Sequence, residues 1–200
     1  MFVSKKITNK ILMTTIFAMV VIFLMFFLFK YKVLTVDNVN DFKIYRQEQE
    51  DPLGMPVRLK IPRIGVDSAV ESVGVTSKGA MDTPRVPEDV AWYKLGTYPG
   101  EIGSAVITGH YGAWKNGAKS VFDNLHELKV GDKISIEDEN GNIINFIVKE
   151  IKNFDPNANS FEVFSSSDGK AHLNLITCEG SWNKEVKSYS QRRVVFTEKE

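Results

Sequence analysis

The chain carries one cysteine, Cys178, at the end of the short apolar strand Leu173-Asn174-Leu175-Ile176-Thr177-Cys178, with Glu179-Gly180 read as breaking that strand at once. A lone cysteine forms no internal disulfide, so its use lies in packing or in reactivity. Two other pieces favour reactivity. Thr108-Gly109-His110 ends the apolar run Ser104 to Ile107, and Gln191-Arg192-Arg193-Val194-Val195-Phe196 leads a basic pair into the last strand. A thiol, an imidazole and a guanidinium, each at a strand end, are the parts of a nucleophilic acyl-transfer site.

Each group has a defined task in such chemistry. An unperturbed thiol has a pKa of ~8.5, so only a few per cent is thiolate at neutral pH. A neighbouring imidazolium or guanidinium is expected to raise that fraction at Cys178. His110 would protonate the leaving amine and later deprotonate the incoming one. An arginine would donate hydrogen bonds to the substrate backbone or the developing oxyanion, in a planar geometry that lysine cannot copy. Thr177 points to the opposite face of the strand from Cys178 and takes a supporting role through the local backbone. His172 shares the face of Cys178 but lies about 20 Å away along the strand, and His126 has charged neighbours that mark it as a surface residue. Periodicity leaves both arginines open, with Arg192 on the face of Val194 and Phe196 and Arg193 on that of Val195; a slip of one residue exchanges them. Trp182, in a polar loop expected over Ser181 to Ser190 between the Cys and Arg strands, is read as a packing residue or a wall of the substrate groove.

The strand Asn174-Leu175-Ile176-Thr177-Cys178 resembles the TLxTC signature of the sortases, the cell-surface cysteine transpeptidases of Gram-positive bacteria, with Asn in place of the first Thr. The resemblance runs from about Val57 to Phe196. It includes Arg58 to Val66, Gly79-Ala80-Met81, Trp92-Tyr93, Pro99-Gly100-Glu101 and Val106-Ile107-Thr108-Gly109-His110. It implies that Cys178 is the nucleophile, His110 the acid–base group and an arginine of the last strand the third member. Aligning Thr197 with the small residue that follows the family's arginine by five places selects Arg192. The resemblance also implies an eight-stranded barrel with a few short helices, and cleavage of an LPxTG-type sorting signal with transfer to an amine of the cell wall precursor or of a pilin. Arg58 to Val66, with no appended C-terminal membrane segment, looks closer to the simpler anchored classes (D, E or F) than to the pilin-polymerising class.

The elements that must position these groups are short strands separated by turns. Val57, Leu59 and Ile61 alternate with Arg58 and Lys60, and Pro62 limits that strand. Further strands are expected at Val70 to Val75, Asp89 to Tyr93, Ser104 to Thr108, Asp132 to Glu137, Ile143 to Ile151, Leu173 to Cys178 and Arg193 to Thr197. Val121 to Leu128 reads as helix or turn. Asn140-Gly141 favours a hairpin, with Glu137, Asp138 and Glu139 read as a solvated loop beside it. Many short strands with little helix argue an all-β sandwich or barrel.

Lys plus Arg and Asp plus Glu both number 25, so the formal charge is zero and nucleic acid is not an expected partner. No EF-hand-like spacing suggests calcium and no Cys/His group suggests zinc, so no cofactor or metal is expected. Ile11 to Phe29 is uncharged, and at 1.5 Å per residue it approaches the ~30 Å hydrocarbon core. It exceeds the h-region of a cleaved signal and no small-x-small site follows it. Lys5, Lys6 and Lys10 keep the N-terminus cytoplasmic. The expected organisation is therefore 1–10 cytoplasmic, 11–29 a transmembrane anchor, 30–54 an extracellular tether, helical or flexible over Asp41 to Glu50, and 55–200 an extracellular catalytic domain. Two rivals accompany the transpeptidase: a thiol peptidase that only hydrolyses, and a non-catalytic surface-binding domain with a structural Cys178.

Overall fold

A computed structural model describes residues 18–30, 53–114 and 117–200. The chain divides into two units, Met1–Glu50 and Asp51–Glu200. In the first, residues 18–30 form a helix, α1, whose large apolar side chains from Met19 to Phe29 are exposed. No helix among the described residues is long and apolar enough to cross a membrane. Residues 11–17 of the expected anchor, and nearly all of the expected tether including Asp41 to Glu50, lie outside the described residues.

The second unit is a closed eight-stranded barrel. Its strands are β1 (Pro56–Ile61), β2 (Val66–Val73), β3 (Val90–Tyr93), β4 (Gly103–Gly109), β5 (Lys133–Asp138), β6 (Ile143–Phe154), β7 (Ala171–Asn183) and β8 (Ser188–Lys199). They close in the order β1-β2-β3-β4-β7-β8-β6-β5. The β2/β3 and β4/β7 pairs are parallel and the other six are antiparallel. Closure leaves no edge strand for other chains to pair with. The expected eight-stranded all-β domain is present.

Alternation sorts the side chains. Leu59, Ile61, Trp92, Ile107, Ile134, Ile136, Phe146, Leu173, Leu175 and Val195 belong to one buried cluster that fills the barrel. A second cluster, Val106, Val163 and Val194 with Ile176, Phe154 and Phe196 against it, covers the outer face where β4, β7 and β8 meet. Val163 comes from α2, the single turn Phe161–Phe164 laid over that face. This double coverage explains why β4 reads as a continuous apolar run: Ala105 and Ile107 face one cluster, Val106 the other.

Four sequence expectations need correction. β2 begins at Val66 rather than Val70. The 3-10 turn Pro62–Ile64 ends on Gly65 at φ 66°, which lets Val66 pair with Ile61 immediately. β7 does not stop at Glu179-Gly180. Gly180, at φ 83°, forms a bulge between Glu179 and Trp182, and the strand runs on to Asn183. The stretch Ser181 to Ser190 is accordingly the tip of a β7/β8 hairpin, with Trp182 paired to Tyr189, not a loop. Asp138 is not solvated. It is buried, and its carboxylate accepts the backbone N–H groups of Gly54, Asn140 and Asn142 and the side-chain amide of Asn142. Burial pushes its pKa up, but these hydrogen bonds outweigh burial and hold it below the ordinary carboxylate value.

Candidate active site

β7 and β8 are paired so that Cys178 stands opposite Arg192 and Thr177 opposite Arg193. Both pairs follow from the hydrophobic pattern. Leu173, Leu175 and Val195 turn into the barrel, which sends Ile176, Val194 and, one step on, Cys178 and Arg192 to the outer face. There, Cys178, Arg192 and His110 line one cavity of about 1110 Å³. Arg193 is not in its lining. On the inner side of the sheet its guanidinium makes two bonds to Glu179, Nε to Oε2 at 2.6 Å and Nη2 to Oε1 at 3.1 Å. Arg192 makes no ion pair among the described residues: Nη1 donates to the carbonyls of Tyr189 and Gln191, and Nη2 to the Ser188 hydroxyl.

His110 follows directly on β4. Its Nε2 lies 2.8 Å from the Pro84 carbonyl, an acceptor only, so Nε2 carries the proton and Nδ1 is left for acid–base work in the neutral ring. The ring packs against Trp114 with centroids 4.7 Å apart. Gly109 before it is required by space, since a Cβ there would stand 2.5 Å from the Phe122 ring. The Thr177 hydroxyl, buried, donates to the Gly109 carbonyl at 2.8 Å. One residue of the Cys strand thus fixes the backbone that carries His110.

The cavity has two kinds of wall. Met81, Tyr93, Phe154, Val163, Phe164, Ile176 and Val194 belong to one apolar cluster. Tyr111, Trp114, Trp182 and Tyr189 add aromatic rings to the lining. Tyr189 meets Trp182 and Tyr111 edge-on at centroid distances of 5.1 and 5.2 Å. Trp182, half exposed, is therefore both a packing partner and a wall.

Arg192 favours the Cys178 thiolate as the sequence leads one to expect, but burial opposes it. Burial pushes its pKa above the ordinary thiol value, and the nearby Arg192 charge offsets this only in part. Burial therefore works against the thiolate form. That form must be generated within the site.

His172 is committed elsewhere: Nδ1 bonds the Thr197 carbonyl at 2.9 Å and Nε2 meets Asp168 at 3.0 Å. His126 bonds the Asp123 carbonyl at the surface. Among the described residues no group of three or more His, Cys, Asp or Glu could hold a metal ion. Sequence reasoning passed over Pro84, Trp114, Tyr189 and the whole α2 wall. Only α2 left a local trace, Asn159-Ser160 ahead of Phe161-Glu162-Val163-Phe164. Asn159 Oδ1 accepts the Phe161 N–H at 2.8 Å, the kind of bond that starts a helical turn.

Solved structures of sortases are similar to the chain. Sortase C1 of Streptococcus agalactiae in complex with MTSET is 27% identical with a TM-score of 0.56, the match covering 72% of this chain and 66% of that one. The sortase C2 of Group B Streptococcus pilus island 1 is 25% identical with a TM-score of 0.54, covering 72% of each chain. Sortase C-1 of Actinomyces oris, 24% identical with a TM-score of 0.58 over 83% of this chain and 85% of that one, shares the fold. The chain spans about two thirds of the length of the streptococcal C1 protein. No curated protein matches it. The sortase domain model matches residues 59–200, from β1 to the last residue, and the chain belongs to the sortase family of cysteine transpeptidases.

Proposed function

We propose that this protein is a membrane-anchored extracellular transpeptidase that cleaves an LPxTG-like sorting signal after its Thr and joins the protein to a cell-wall or pilin amine. In this reading Cys178 is the nucleophile, His110 the acid–base group and Arg192 the oxyanion donor. The single observation that carries it is the cross-strand pairing of Cys178 with Arg192 in a cavity that His110 also lines.

The reaction balances with these three groups. A thiol proton passes to His110 Nδ1, and the thiolate attacks the carbonyl carbon of the scissile peptide. The tetrahedral oxyanion takes hydrogen bonds from Arg192. The C–N bond breaks, and the leaving amine receives the proton from the imidazolium. A thioester remains. The acceptor amine attacks it, gives a proton to His110 and releases the Cys178 thiolate. Because burial works against the thiolate, reaction depends on the Arg192 charge, which draws the Cys178 pKa back down, and on proton transfer to His110.

The anchor rests on Ile11 to Phe29 and on α1. A helix apolar on every face belongs in lipid or in a protein core, and the large side chains of α1 are exposed. With Lys5, Lys6 and Lys10 cytoplasmic, the barrel lies outside the cell. The simpler anchored class is retained on Arg58 to Val66. The neighbours named above are C sortases, and identity near 25% does not carry class.

Intact-mass spectrometry of residues 51–200 incubated with an LPxTG peptide tests the function. A thioacyl adduct on Cys178 is expected, resolved to an amide when a glycine-based amine is added. Water-only resolution at any amine concentration would favour the hydrolase, and absence of any adduct would favour a binding domain.

A further inference from the structure

Asn174 stands where the family's strand carries Thr, and its surroundings are unusual. It is buried, with Nδ2 donating to the Val163 carbonyl at 2.7 Å while Oδ1 has no hydrogen-bond partner. An orphaned buried acceptor costs free energy that an apolar side chain or a shorter hydroxyl would avoid. A residue retained at such a cost is informative through the bond it does make. That bond reaches α2, the wall of the cavity that provides Ser160, Val163 and Phe164.

Apolar packing of Val163 and Phe164 holds α2 to the barrel and Asn159 bonds the Phe161 N–H, but polar ties from the turn to the barrel are few among the described residues. A single four-residue turn does not persist through its own backbone bonds, because helix nucleation is unfavourable. Ser160, at its N-cap, makes no side-chain capping bond. Phe164 lies edge-on against Tyr93 at 5.4 Å, and the Lys152–Glu162 pair is exposed and weak. Among the described residues the Asn174 amide is a buried polar tie between the turn and the barrel.

We propose that Asn174 is a positioning residue for the donor-peptide groove: its amide fixes α2 against β7, and α2 sets the width of the apolar wall that receives the peptide. Asn174 shares the outer face with Ile176 and Cys178 but is about 13 Å from the cysteine along the strand. It therefore acts on binding and not on the reacting atoms. This inference rests on the transpeptidase reading for its kinetic half and on the fold alone for its structural half.

Two variants test it in the full chain in detergent micelles. Asn174→Thr restores the family's residue, whose hydroxyl is too short to reach Val163. Asn174→Leu keeps the branched shape without polar atoms. Hydrogen exchange at residues 161–165, read by mass spectrometry, should accelerate roughly tenfold or more in both, with β7 and β8 still protected. For a fluorogenic LPxTG peptide, KM should rise about fivefold while kcat stays within about twofold. The alkylation rate of Cys178 by iodoacetamide should not change. Unchanged exchange over 161–165 overturns the proposal whatever the kinetics. So does a fall in kcat at constant KM, or a lower melting temperature with KM unaltered. If the wild-type chain turns over no sorting peptide, the functional reading fails, and the exchange result still decides whether Asn174 holds α2.

Discussion

The two faces of the β7/β8 ribbon are built from one stretch of sequence and do opposite things. The inner face runs Leu173, Leu175, Thr177 and Glu179 against Thr197, Val195 and Arg193. Every polar group on it is matched: Thr197 donates to the Leu173 carbonyl, Thr177 to the Gly109 carbonyl, and Arg193 forks onto Glu179. The outer face runs Asn174, Ile176 and Cys178 against Phe196, Val194 and Arg192. Among the described residues it holds an amide oxygen with no hydrogen-bond partner, a thiol lifted by burial and a guanidinium without a carboxylate. A satisfied face adds stability and fixes register. On the outer face the Arg192 guanidinium keeps its charge for a substrate. The adjacent arginines differ in this respect although they differ in sequence by one place.

The comparison makes its largest demand on Cys178. Cys178→Ala should leave the barrel folded, because the change is small and the position is only partly buried. Peptide cleavage and the covalent adduct should both disappear. Cys178→Ser should be nearly as inactive, since a hydroxyl is far harder to ionise. A Cys178→Ala protein that still cleaves would remove the outer face from the chemistry altogether.

The arginines come next, and they should fail in different ways. Arg192→Ala is expected to cost at least about tenfold in kcat/KM, roughly 1.4 kcal/mol or more of transition-state stabilisation. Arg192→Lys should lose a similar amount, because the charge survives and the planar fork does not. Arg193→Ala should keep turnover within a few-fold and instead lower stability by about 1–3 kcal/mol, since it leaves the largely sheltered Glu179 carboxylate without its partner. Urea denaturation and steady-state kinetics on the same preparations read both effects. Should Arg193 prove essential and Arg192 dispensable, the two faces have been assigned the wrong way round.

How much of this was legible in the chain follows from how local each feature is. The β5/β6 hairpin at Asn140-Gly141 is written in neighbouring residues and is present, as is the alternation of Leu59 and Ile61 with Arg58 and Lys60 in β1; Val57 breaks it, exposed beside the irregularity between Pro56 and Arg58. Also present is the inner–outer sorting of Leu173 to Cys178, which the second cluster makes plain. Gly180 was misread because a glycine marks a bulge as readily as an end, and only pairing with β8 decides between them. Asp138 is legible only in part: its bonds from Asn140 and Asn142 are local, but the one from Gly54 spans 84 residues. The raised Cys178 pKa was missed for a related reason: an approaching charge can be inferred from sequence, but desolvation depends on what packs over the thiol. The Pro84 carbonyl that orients His110 is a backbone atom, which no residue-type pattern announces.

Thr177 tests whether the inner face serves the outer one. Thr177→Val keeps shape and burial but withdraws the hydrogen bond to the Gly109 carbonyl, leaving a buried acceptor unpaired at about 1–3 kcal/mol. Because that carbonyl precedes His110, the imidazole should lose its fixed position, and kcat should fall several-fold with KM little changed. A variant equally destabilised but fully active would limit Thr177 to holding the barrel together.

The smallest expected effect is the most direct reading of the charge on the outer face. Iodoacetamide reacts with the thiolate, so its rate against pH follows the ionisation of Cys178. Burial, the larger influence, should place the midpoint above the ordinary thiol value, and Arg192 draws it part of the way back. Removing that charge in Arg192→Ala should therefore move the midpoint further up and slow alkylation at a fixed pH below it. Arg193→Ala should leave the profile where it was, because the Arg193 charge is already matched by Glu179 on the other side of the sheet. A downward shift in Arg192→Ala would mean that the guanidinium excludes water from the thiol more than it attracts the negative charge, and Arg192 would then act on Cys178 through burial. Equal shifts in both variants would mean that the Glu179 pair does not screen Arg193, and the contrast between the two faces would reduce to one of exposure.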